Sequence, residues 1–481
     1  MLKLTDIASE TVFKYFEEIC SVPHGSGNMQ AISKYIIDFA KSRNLEWHAD
    51  HANNVIVYKP ASKGYENSES IILQGHLDMV CQKTEDYDID FEKDGIDVYV
   101  DNGFVTARGT TLGADNGIAV AMILSILSDN SISHPDIEAV FTTDEEIGMI
   151  GAGKLDMSKL KSKRMINLDA EQEDTVTASC AGGSDFEVKI PIVRVNSQGF
   201  LVKICIKGLK GGHSGVEIDK GRINSNILTG RILNHLKEHT NFEIISITGG
   251  NKANAIPNRT DVILSVTDPD KFKEVFSKYI GLVEKEIKLR EPDFTAELFV
   301  ADSIEMHSVF SETIRDEIIY ILNRVVDGVV TMSAQISGLV ETSLNIGILS
   351  TNEDTIVLHH ALRSNKVSSL MSLEDELKTF YRDIKCNIET YGHYPPWEYN
   401  PNSQLRSRYL LAYEKIFGSK PKIEAIHAGL ECGLFCTAIE GLDCIAIGPQ
   451  LFDVHTVNER LDIVSTQRIY SVLIELLKSC K

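Results

Sequence analysis

The segment IILQGHLDMV, residues 71–80, places a histidine and a carboxylate at the end of an apolar run. His76 and Asp78 lie two residues apart, directly after a stretch that reads as a buried strand. An imidazole and a carboxylate can bind a metal ion or move a proton. A histidine at a strand end is equally compatible with a core position in which one ring nitrogen is hydrogen bonded, so this pair alone does not decide between the two.

The same arrangement recurs where four other segments end a strand or begin a helix: Asp115, Glu145 with Glu146, Asp169, and His455. Taken singly, these residues are explained by an N-cap, a solvated acidic corner, a turn cap and a loop histidine. Taken together with the first pair, they form a mixed nitrogen and oxygen set that suits Zn²⁺, Mn²⁺ or Co²⁺ better than Ca²⁺. Packing several carboxylates together is costly unless cations neutralise them. Two ions about 3.5–4 Å apart, bridged by one carboxylate and a water, would use such a set.

The elements that carry these residues alternate between strands and helices. Strand-like runs occupy 53–60, 71–78, 137–146 and 164–171, and an apolar helix is predicted over 117–130. This alternation predicts an α/β fold with a largely parallel central sheet. Because ligand sites of such sheets lie beyond the carboxyl ends of the strands, we expect the five polar segments to converge on one edge.

The pattern changes near AGGSDF, residues 181–186, where alternating strands with intervening helices begin to dominate. We therefore predict an α/β domain built from 1–183 and 391–481 and interrupted by a large α+β insert at 184–390. The order of strands and helices roughly repeats within the insert. That order is compatible with two similar α+β units, although no residue-level repeat proves it.

Composition excludes several classes of function. A formal net charge of −21 makes the chain a poor ligand for nucleic acid or anionic membranes. No apolar stretch approaches the ~18 residues of a membrane span. The N-terminus reads as an amphipathic helix with Ile7, Val12, Phe13, Phe16 and Ile19 near helical spacing, which is not a signal peptide. Nine scattered cysteines without a CxxC pair indicate reduced thiols in a cytoplasmic protein.

Several motifs together resemble one metallopeptidase family, which includes carnosinases, aminoacylases, tripeptidase and aminoacyl-histidine dipeptidase. They occur in the order of that family: HLD, GADNGIAVA, TTDEEIGMIGA, NLDAE, GLKGGHSG and HTVNERL. The segments TLGADNGIA, GLVETSLN and HAGLECG are most similar to the bacterial aminoacyl-histidine dipeptidase branch. The resemblance spans nearly the whole chain. It implies a zinc-exopeptidase-like catalytic domain with the insert as a lid.

The resemblance also implies roles for the polar residues at the strand ends. The metal ligands would be His76 and Asp169 on one ion, Glu146 and His455 on the other, and Asp115 between them. Glu145 would be the general base for a water bridged between the two metals. Asp78 would accept a hydrogen bond from the ring N–H of His76, which orients that ring and raises its basicity.

Four further residues would bind the transition state or the substrate. His213, in GLKGGHSG, would reach the oxyanion from the lid, and an exposed loop histidine is the alternative. Asn254 and Arg363 would bind the substrate carboxylate, and a surface arginine is the alternative for Arg363. Glu431 would bind a free α-amino group or have only a structural role. The insert is about twice the length of a single α+β unit, so we expect its second half to supply Arg363 in cis.

These implications define an expected function. We expect metal-dependent hydrolysis of the peptide bond of short unblocked peptides, dipeptides including Xaa-His, with two divalent ions. Zinc is the expected metal, with manganese or cobalt as alternatives. An N-acyl-amino-acid deacylase or a tripeptidase of the same family remains the alternative activity, and a non-catalytic binding protein on the same fold is the alternative class. No GxSxG elbow of a serine hydrolase occurs. The expected partners are small peptides, and the expected state is a monomer or a homodimer.

Overall fold

The computed structural model describes residues 11–481, so Ile7 of the predicted N-terminal helix lies outside the described residues. The chain forms two compact units. The first contains the described residues up to Cys180 together with Trp397–Ala425 and Leu430–Lys481. The second contains Ala181–Pro396 and the short return Ile426–Gly429. The predicted insert, 184–390, lies within the second unit, whereas the return of 426–429 to that unit had no signal in the sequence.

The helices and strands follow in chain order. Up to Cys180 they are α1 Thr11–Cys20, α2 Gln30–Ser42, β1 Glu46–Ala49, β2 Val55–Lys59, β3 Ile71–His76, β4 Val98–Asp101, β5 Phe104–Ala107, α3 Ala114–Ser128, β6 Ile137–Thr142, α4 Ile150–Lys154, β7 Arg164–Asn167 and β8 Thr175–Cys180. From Ala181 to Pro396 they are β9 Gly182–Pro191, β10 Arg194–Lys207, β11 Gly212–His213, α5 Ser225–His239, β12 Phe242–Gly249, β13 Ala255–Ile256, β14 Thr260–Val266, α6 Pro269–Ile287, β15 Thr295–Phe310, α7 Glu312–Arg324, β16 Gly328–Met332, β17 Val340–Thr351, β18 Thr355–Ser364, α8 Val367–Tyr381 and β19 Asn387–Tyr394. The last segment adds α9 Gln404–Phe417, β20 Lys422–Ile426, α10 Glu431–Ala438, β21 Asp443–Ala446, β22 Leu451–Phe452, β23 Arg460–Asp462 and α11 Ile463–Ser479.

The first unit is built on an eight-stranded sheet with the order β1-β2-β6-β3-β7-β21-β8-β20. The four central strands β6, β3, β7 and β21 are mutually parallel. β2 and β8 pair with this group in the antiparallel direction. The predicted α/β fold is therefore confirmed. The sheet is mixed, however, and the four parallel strands lie at its centre, where strands carry buried side chains on both faces.

Apolar residues explain how the first unit holds its sheet. β3 and β6 are buried along their whole length, as expected for central strands with both faces covered. α3 is apolar on nearly every face and is buried from Asn116 to Leu127, so it lies inside the unit rather than on its surface. A separate four-stranded sheet, ordered β22-β23-β5-β4, joins the C-terminal segment to the N-terminal one.

The second unit is built on one nine-stranded antiparallel sheet with the order β15-β10-β14-β12-β17-β18-β9-β19, to which β16 adds through β17. Strands from the two halves of the insert interleave in this single sheet, since β12 pairs with β17 and β9 pairs with β18. Any similarity between the halves therefore does not separate them into two sheets. The helices α5 to α8 contribute apolar residues to one core with this sheet. Among residues 11–481, no helix has both the length and the apolar character required to cross a bilayer.

Candidate metal centre

The strand order brings the predicted ligands to one edge of the central sheet. His76 is the last residue of β3, and the segments with Glu146, Asp169 and His455 follow β6, β7 and β21. These four strands are adjacent and parallel, so their carboxyl ends lie side by side. The apolar runs that precede each polar residue are the strands themselves, and burial of those strands fixes where the polar residues emerge.

Asp115 reaches the same edge from the beginning of α3. Its neighbour Asn116 ties this helix to the sheet, because the main-chain N–H of His76 donates to Asn116 Oδ1 over 3.1 Å. The Asn116 side-chain amide donates to the carbonyl of Leu168 over 2.9 Å. The side chain of Asn116 thus joins the start of α3 to the ends of both β3 and β7.

The first imidazole faces two carboxylates. His76 Nε2 lies 3.1 Å from Asp115 Oδ1 and 3.5 Å from Asp169 Oδ1. The imidazole of His76 is almost completely buried, and the two carboxylates are about one-tenth exposed. His76 is therefore not an isolated core imidazole but belongs to a cluster of groups that can ligate a metal.

The second imidazole faces the other oxygen of the same aspartate. His455 Nε2 lies 3.1 Å from Asp115 Oδ2 and 2.9 Å from Glu146 Oε1. The two oxygens of Asp115 thus face two different imidazoles, which is the position that a bridging ligand requires. One ligand atom from each of His76, Asp115 and Glu146 lies within 4.8 Å of the others.

The charges of this cluster fit bound cations. Burial and the neighbouring carboxylates of Asp115 and Glu146 raise the pKa of Asp169 to about 6, although His76 opposes the shift. Hydrogen bonds with Asp115 and Glu146 raise the pKa of His455 to about 11. These shifts show that several buried carboxylates compete for the positive charge of two imidazoles. A set of two imidazoles and three carboxylates fits a pair of divalent ions, which would supply the missing positive charge.

Asp78 has more hydrogen-bond partners than the resemblance implied. His76 Nδ1 lies 3.0 Å from the main-chain carbonyl oxygen of Asp78 and 3.4 Å from its Oδ1, so the carbonyl is the nearer acceptor. The Asp78 carboxylate also accepts from the main-chain N–H groups of Glu145 and Glu146, over 3.0 and 3.2 Å, and from the hydroxyl of Ser26 over 2.9 Å. Asp78 therefore holds the turn that carries both glutamates.

Glu145 lies on the same turn. Unlike Glu146, which lies 2.9 Å from His455 Nε2, it has no hydrogen bond with an imidazole among the described residues. Burial is the first cause that raises the pKa of the Glu145 carboxyl well above its ordinary value, and the carboxylates of Asp169, Glu431 and Glu146 add to it against the opposing charge of His76. A carboxyl group with a raised pKa beside a cluster of candidate metal ligands is suited to accept and return a proton.

Glu431, expected either to bind a substrate amine or to have a structural role, lies in the interior of the first unit. It is the first residue of α10 and has no solvent exposure. Its Oε2 accepts from Gln74 Nε2 over 2.5 Å and from the Thr142 hydroxyl over 2.7 Å. Burial raises its pKa to about 7. These contacts support a structural role between β3, β6 and α10.

Comparison with known proteins identifies the family of this chain. The family model described as peptidase family M20/M25/M40 matches residues 72–479. This chain belongs to peptidase family M20/M25/M40. The resemblance inferred from the motifs is therefore confirmed, and with it the expectation that the chain is an enzyme that acts on peptide bonds.

Individual relatives cover this M20 peptidase from end to end. The cytosol non-specific dipeptidase of Escherichia coli (strain K12) is 35% identical over 484 residues, which is 99% of this chain and 99% of that protein. The crystal structure of aminoacylhistidine dipeptidase from Vibrio alginolyticus has a TM-score of 0.91 and 36% identity, and it covers 99% of this chain and 98% of that one. An aminopeptidase from Bacillus cereus, with a TM-score of 0.55, 15% identity and 98% coverage of both chains, shares the fold.

The remaining predicted residues lie in the second unit of the M20 peptidase. His213 Nδ1 accepts from the main-chain N–H groups of Gly215 and Val216 over 3.1 and 3.2 Å. Burial and then the charge of Arg363 lower the pKa of this imidazole. The lowered pKa favours the neutral ring, and the two hydrogen bonds accepted by Nδ1 leave its proton on Nε2. His213 therefore presents a hydrogen-bond donor at Nε2.

Arg363 and Asn254 lie in the same unit as His213. Arg363 Nη1 donates to the hydroxyl of Tyr394 over 3.0 Å, and its Nε is buried without an acceptor among the described residues. Asn254 is exposed, and its carbonyl accepts from the N–H of Ser214, directly after His213. A guanidinium with an unused donor is suited to a carboxylate.

Two residues of the centre were missed by inspection of the sequence. Asn116 lies inside GADNG and Glu459 lies inside HTVNERL, so both belong to motifs in which only the aspartate and the histidine were given roles. Glu459 is 3% exposed, and its carboxylate accepts from four successive main-chain N–H groups that end at Asp115. Only proximity in the fold identifies such support, since neither residue has a ligand-like spacing in the chain.

Proposed function

We propose that this M20 peptidase hydrolyses the peptide bond of short unblocked peptides, dipeptides including Xaa-His, with two divalent metal ions. The observation that carries the proposal is the position of Asp115, whose two oxygens face His76 and His455 while Glu145 lies on the adjoining turn. The full-length similarity to a non-specific dipeptidase and to an aminoacylhistidine dipeptidase supports this substrate class.

The chain itself supplies the ligands and the proton transfer. His76 and Asp169 would hold one ion, Glu146 and His455 the other, and Asp115 both. When bound, the ions would polarise the scissile carbonyl and lower the pKa of a water molecule to about 7. Glu145 takes the proton of the attacking water and delivers it to the leaving amine nitrogen, which is otherwise a poor leaving group.

Residues of the second unit bind the remainder of the substrate in this proposal. His213 donates from Nε2 to the oxygen that becomes negative in the tetrahedral intermediate. Arg363 and Asn254 bind the substrate carboxylate, and Arg363 can do so with two parallel N–H groups. Support comes from the neutral state of His213 and from the unused donor of Arg363.

The metal and the cellular location belong to the same proposal. A mixed nitrogen and oxygen ligand set favours zinc, and manganese or cobalt can occupy the same set. All nine cysteines are unpaired thiols, and the Escherichia coli relative is described as a cytosol enzyme, both of which support a cytoplasmic location.

The test is turnover by metal-stripped protein with Zn²⁺, Mn²⁺ or Co²⁺ added back. The panel is β-Ala-His, Leu-His, Ala-Ala-Ala and N-acetyl amino acids. We expect hydrolysis of the two dipeptides and none without metal, and Glu145→Gln serves as the inactive control that keeps the ligands. Preference for the tripeptide or the acylated substrates would replace the dipeptidase assignment by a tripeptidase or a deacylase. Absence of turnover with every metal would refute the proposal.

A further inference from the structure

The buried carboxylate of Glu459 accepts hydrogen bonds from the stretch of main chain that leads to Asp115. One oxygen of Glu459 accepts from the N–H groups of Leu112 and Gly113 over 2.8 and 3.1 Å. The other accepts from the N–H groups of Ala114 and Asp115 over 2.9 and 3.3 Å. Successive N–H groups that point at one anion form a nest, and here the nest lies in the turn that leads into α3.

The backbone of this nest requires glycine at one position. Gly113 has a φ of 73°, in the left-handed region that glycine adopts without steric cost. A Cβ atom at this position would lie 2.7 Å from Met79 Sδ. The turn is therefore closely packed on the outside by Met79 and held on the inside by the Glu459 carboxylate.

The same residue is connected to the other side of the metal centre. Glu459 follows His455 by four positions, in the segment between β22 and β23. Its main-chain N–H donates to the carbonyl of Thr456 over 3.2 Å, and its carbonyl accepts from the hydroxyl of Thr106, on β5, over 3.1 Å. The segment with His455 and the turn with Asp115 are thus joined through one side chain.

We propose that Glu459 is a positioning residue that holds the Asp115 carboxylate between the two metal positions and keeps it in register with His455. The ions belong to the proposed function, and this inference rests on it in that respect. Loss of the carboxylate frees four N–H groups and leaves Asp115 without a fixed orientation, so one aspartate can no longer serve both positions equally.

Glu138 provides a matched control. It is 5% exposed, lies near the amino end of β6, away from the metal edge, and accepts from the main-chain N–H groups of Lys161 and Ser162 over 2.9 and 3.1 Å. It is therefore another buried carboxylate that holds a turn. Glu138→Gln has the same change of chemistry as Glu459→Gln without a connection to Asp115.

The experiment is a titration of metal-free protein with Zn²⁺ by isothermal calorimetry, with bound zinc counted by elemental analysis. We expect wild type and Glu138→Gln each to bind two ions, and we expect the zinc affinities of Glu138→Gln to equal those of wild type. We expect Glu459→Gln to bind at least one of the two ions about 10- to 100-fold more weakly. The kcat for Leu-His should fall while KM changes little, and excess Zn²⁺ should restore part of the kcat.

Glu459→Asp tests the proposal if the glutamine variant does not fold. It retains the charge but is shorter, so its zinc affinity should lie between wild type and the glutamine variant. Wild-type zinc affinity in a folded Glu459→Gln or Glu459→Asp protein would overturn the inference. Two-ion binding by wild type without peptide hydrolysis would refute the proposed function alone, and a wild type that binds no divalent ion would overturn both.

Discussion

At the scale of the residue, Glu145 and Glu146 are neighbours on one turn and have different roles in the proposed reaction. Glu146 faces His455 over 2.9 Å, whereas Glu145 has a raised pKa and no such contact. Both are held by the carboxylate of Asp78, which accepts from their main-chain N–H groups. Asp78 thus fixes a proposed ligand and a proposed base together.

Glu145→Gln should separate proton transfer from metal binding. The amide cannot accept the proton of the attacking water, so we expect kcat for a dipeptide to fall by about 10²- to 10⁴-fold. KM should change little, and two zinc ions should remain bound because Glu145 is not a ligand in our assignment. Steady-state kinetics with elemental analysis measures both quantities. A variant with wild-type kcat would exclude Glu145 as the base.

Asp78→Ala should weaken the centre without deleting a ligand. Because the turn with Glu145 and Glu146 loses its anchor, we expect zinc affinity to fall by about 10- to 100-fold, and turnover with it. His76→Ala is the contrasting variant, which should bind only one ion at any zinc concentration. Equilibrium dialysis distinguishes the two outcomes, and a one-ion stoichiometry in Asp78→Ala would contradict the indirect role.

At the scale of the element, buried polar groups connect helices to strands. In the second unit, His360 of β18 is fully buried and its Nε2 lies 2.9 Å from the hydroxyl of Tyr381 on α8. The ring also packs edge to face against Phe186 of β9, with centroids 6.0 Å apart. Burial, and then the charge of His359, lowers its pKa to about 3.

This imidazole should make the second unit sensitive to acid. Below its pKa of about 6.5, the histidine binds a proton in the unfolded chain but not in the folded one. The contribution of His360 to the free energy of unfolding is therefore present above pH 6.5 and is lost as the pH falls towards 3. Between pH 7.5 and 5.5, wild type should lose about 1.4 kcal/mol of unfolding free energy more than His360→Gln. Urea unfolding of metal-free protein by circular dichroism measures this difference. Equal losses in both proteins would show that His360 does not cause the sensitivity.

At the scale of the whole molecule, the proposed metal ligands and the proposed substrate donors are divided between the two units. His76, Asp115 and Glu145 belong to the first, and His213 with Arg363 belongs to the second. Arg363 lies on β18 of the nine-stranded sheet, whereas His213 lies on β11, which pairs with β13 in a separate two-stranded sheet. A single chain therefore contains every group that the proposed reaction uses.

Complementation should show whether the units of one chain serve each other. If His213 acts in cis, a mixture of His213→Ala and Glu145→Ala proteins should remain inactive, because no chain in it carries both residues. Hydrolysis of Leu-His by each variant alone provides the baseline. Recovery of activity in the mixture would mean that His213 acts across a dimer.

Much of the centre was predictable because it depends on short-range order. An apolar run followed by His76 or Asp169 specifies a buried strand with a polar end, and motif order specified the family. The partner of His76 Nδ1 was not predictable in the same way. The carbonyl of Asp78 competes with its carboxylate for that nitrogen, and the carboxylate is drawn to the turn of β6, a strand that lies next to β3 only in the folded sheet.

The α/β alternation, the types of the proposed ligands and the family follow from the sequence alone, since strand burial and side-chain chemistry depend on neighbouring residues. The enclosure of Glu431 between β3, β6 and α10, the return of 426–429 to the second unit, and the contact of Glu459 with the turn before Asp115 are visible only in the folded chain. The contacts of Glu431 with Thr142 and of Glu459 with Ala114 join residues 289 and 345 positions apart. Such contacts form because the folded sheet brings distant segments to one edge, and no local pattern encodes that proximity.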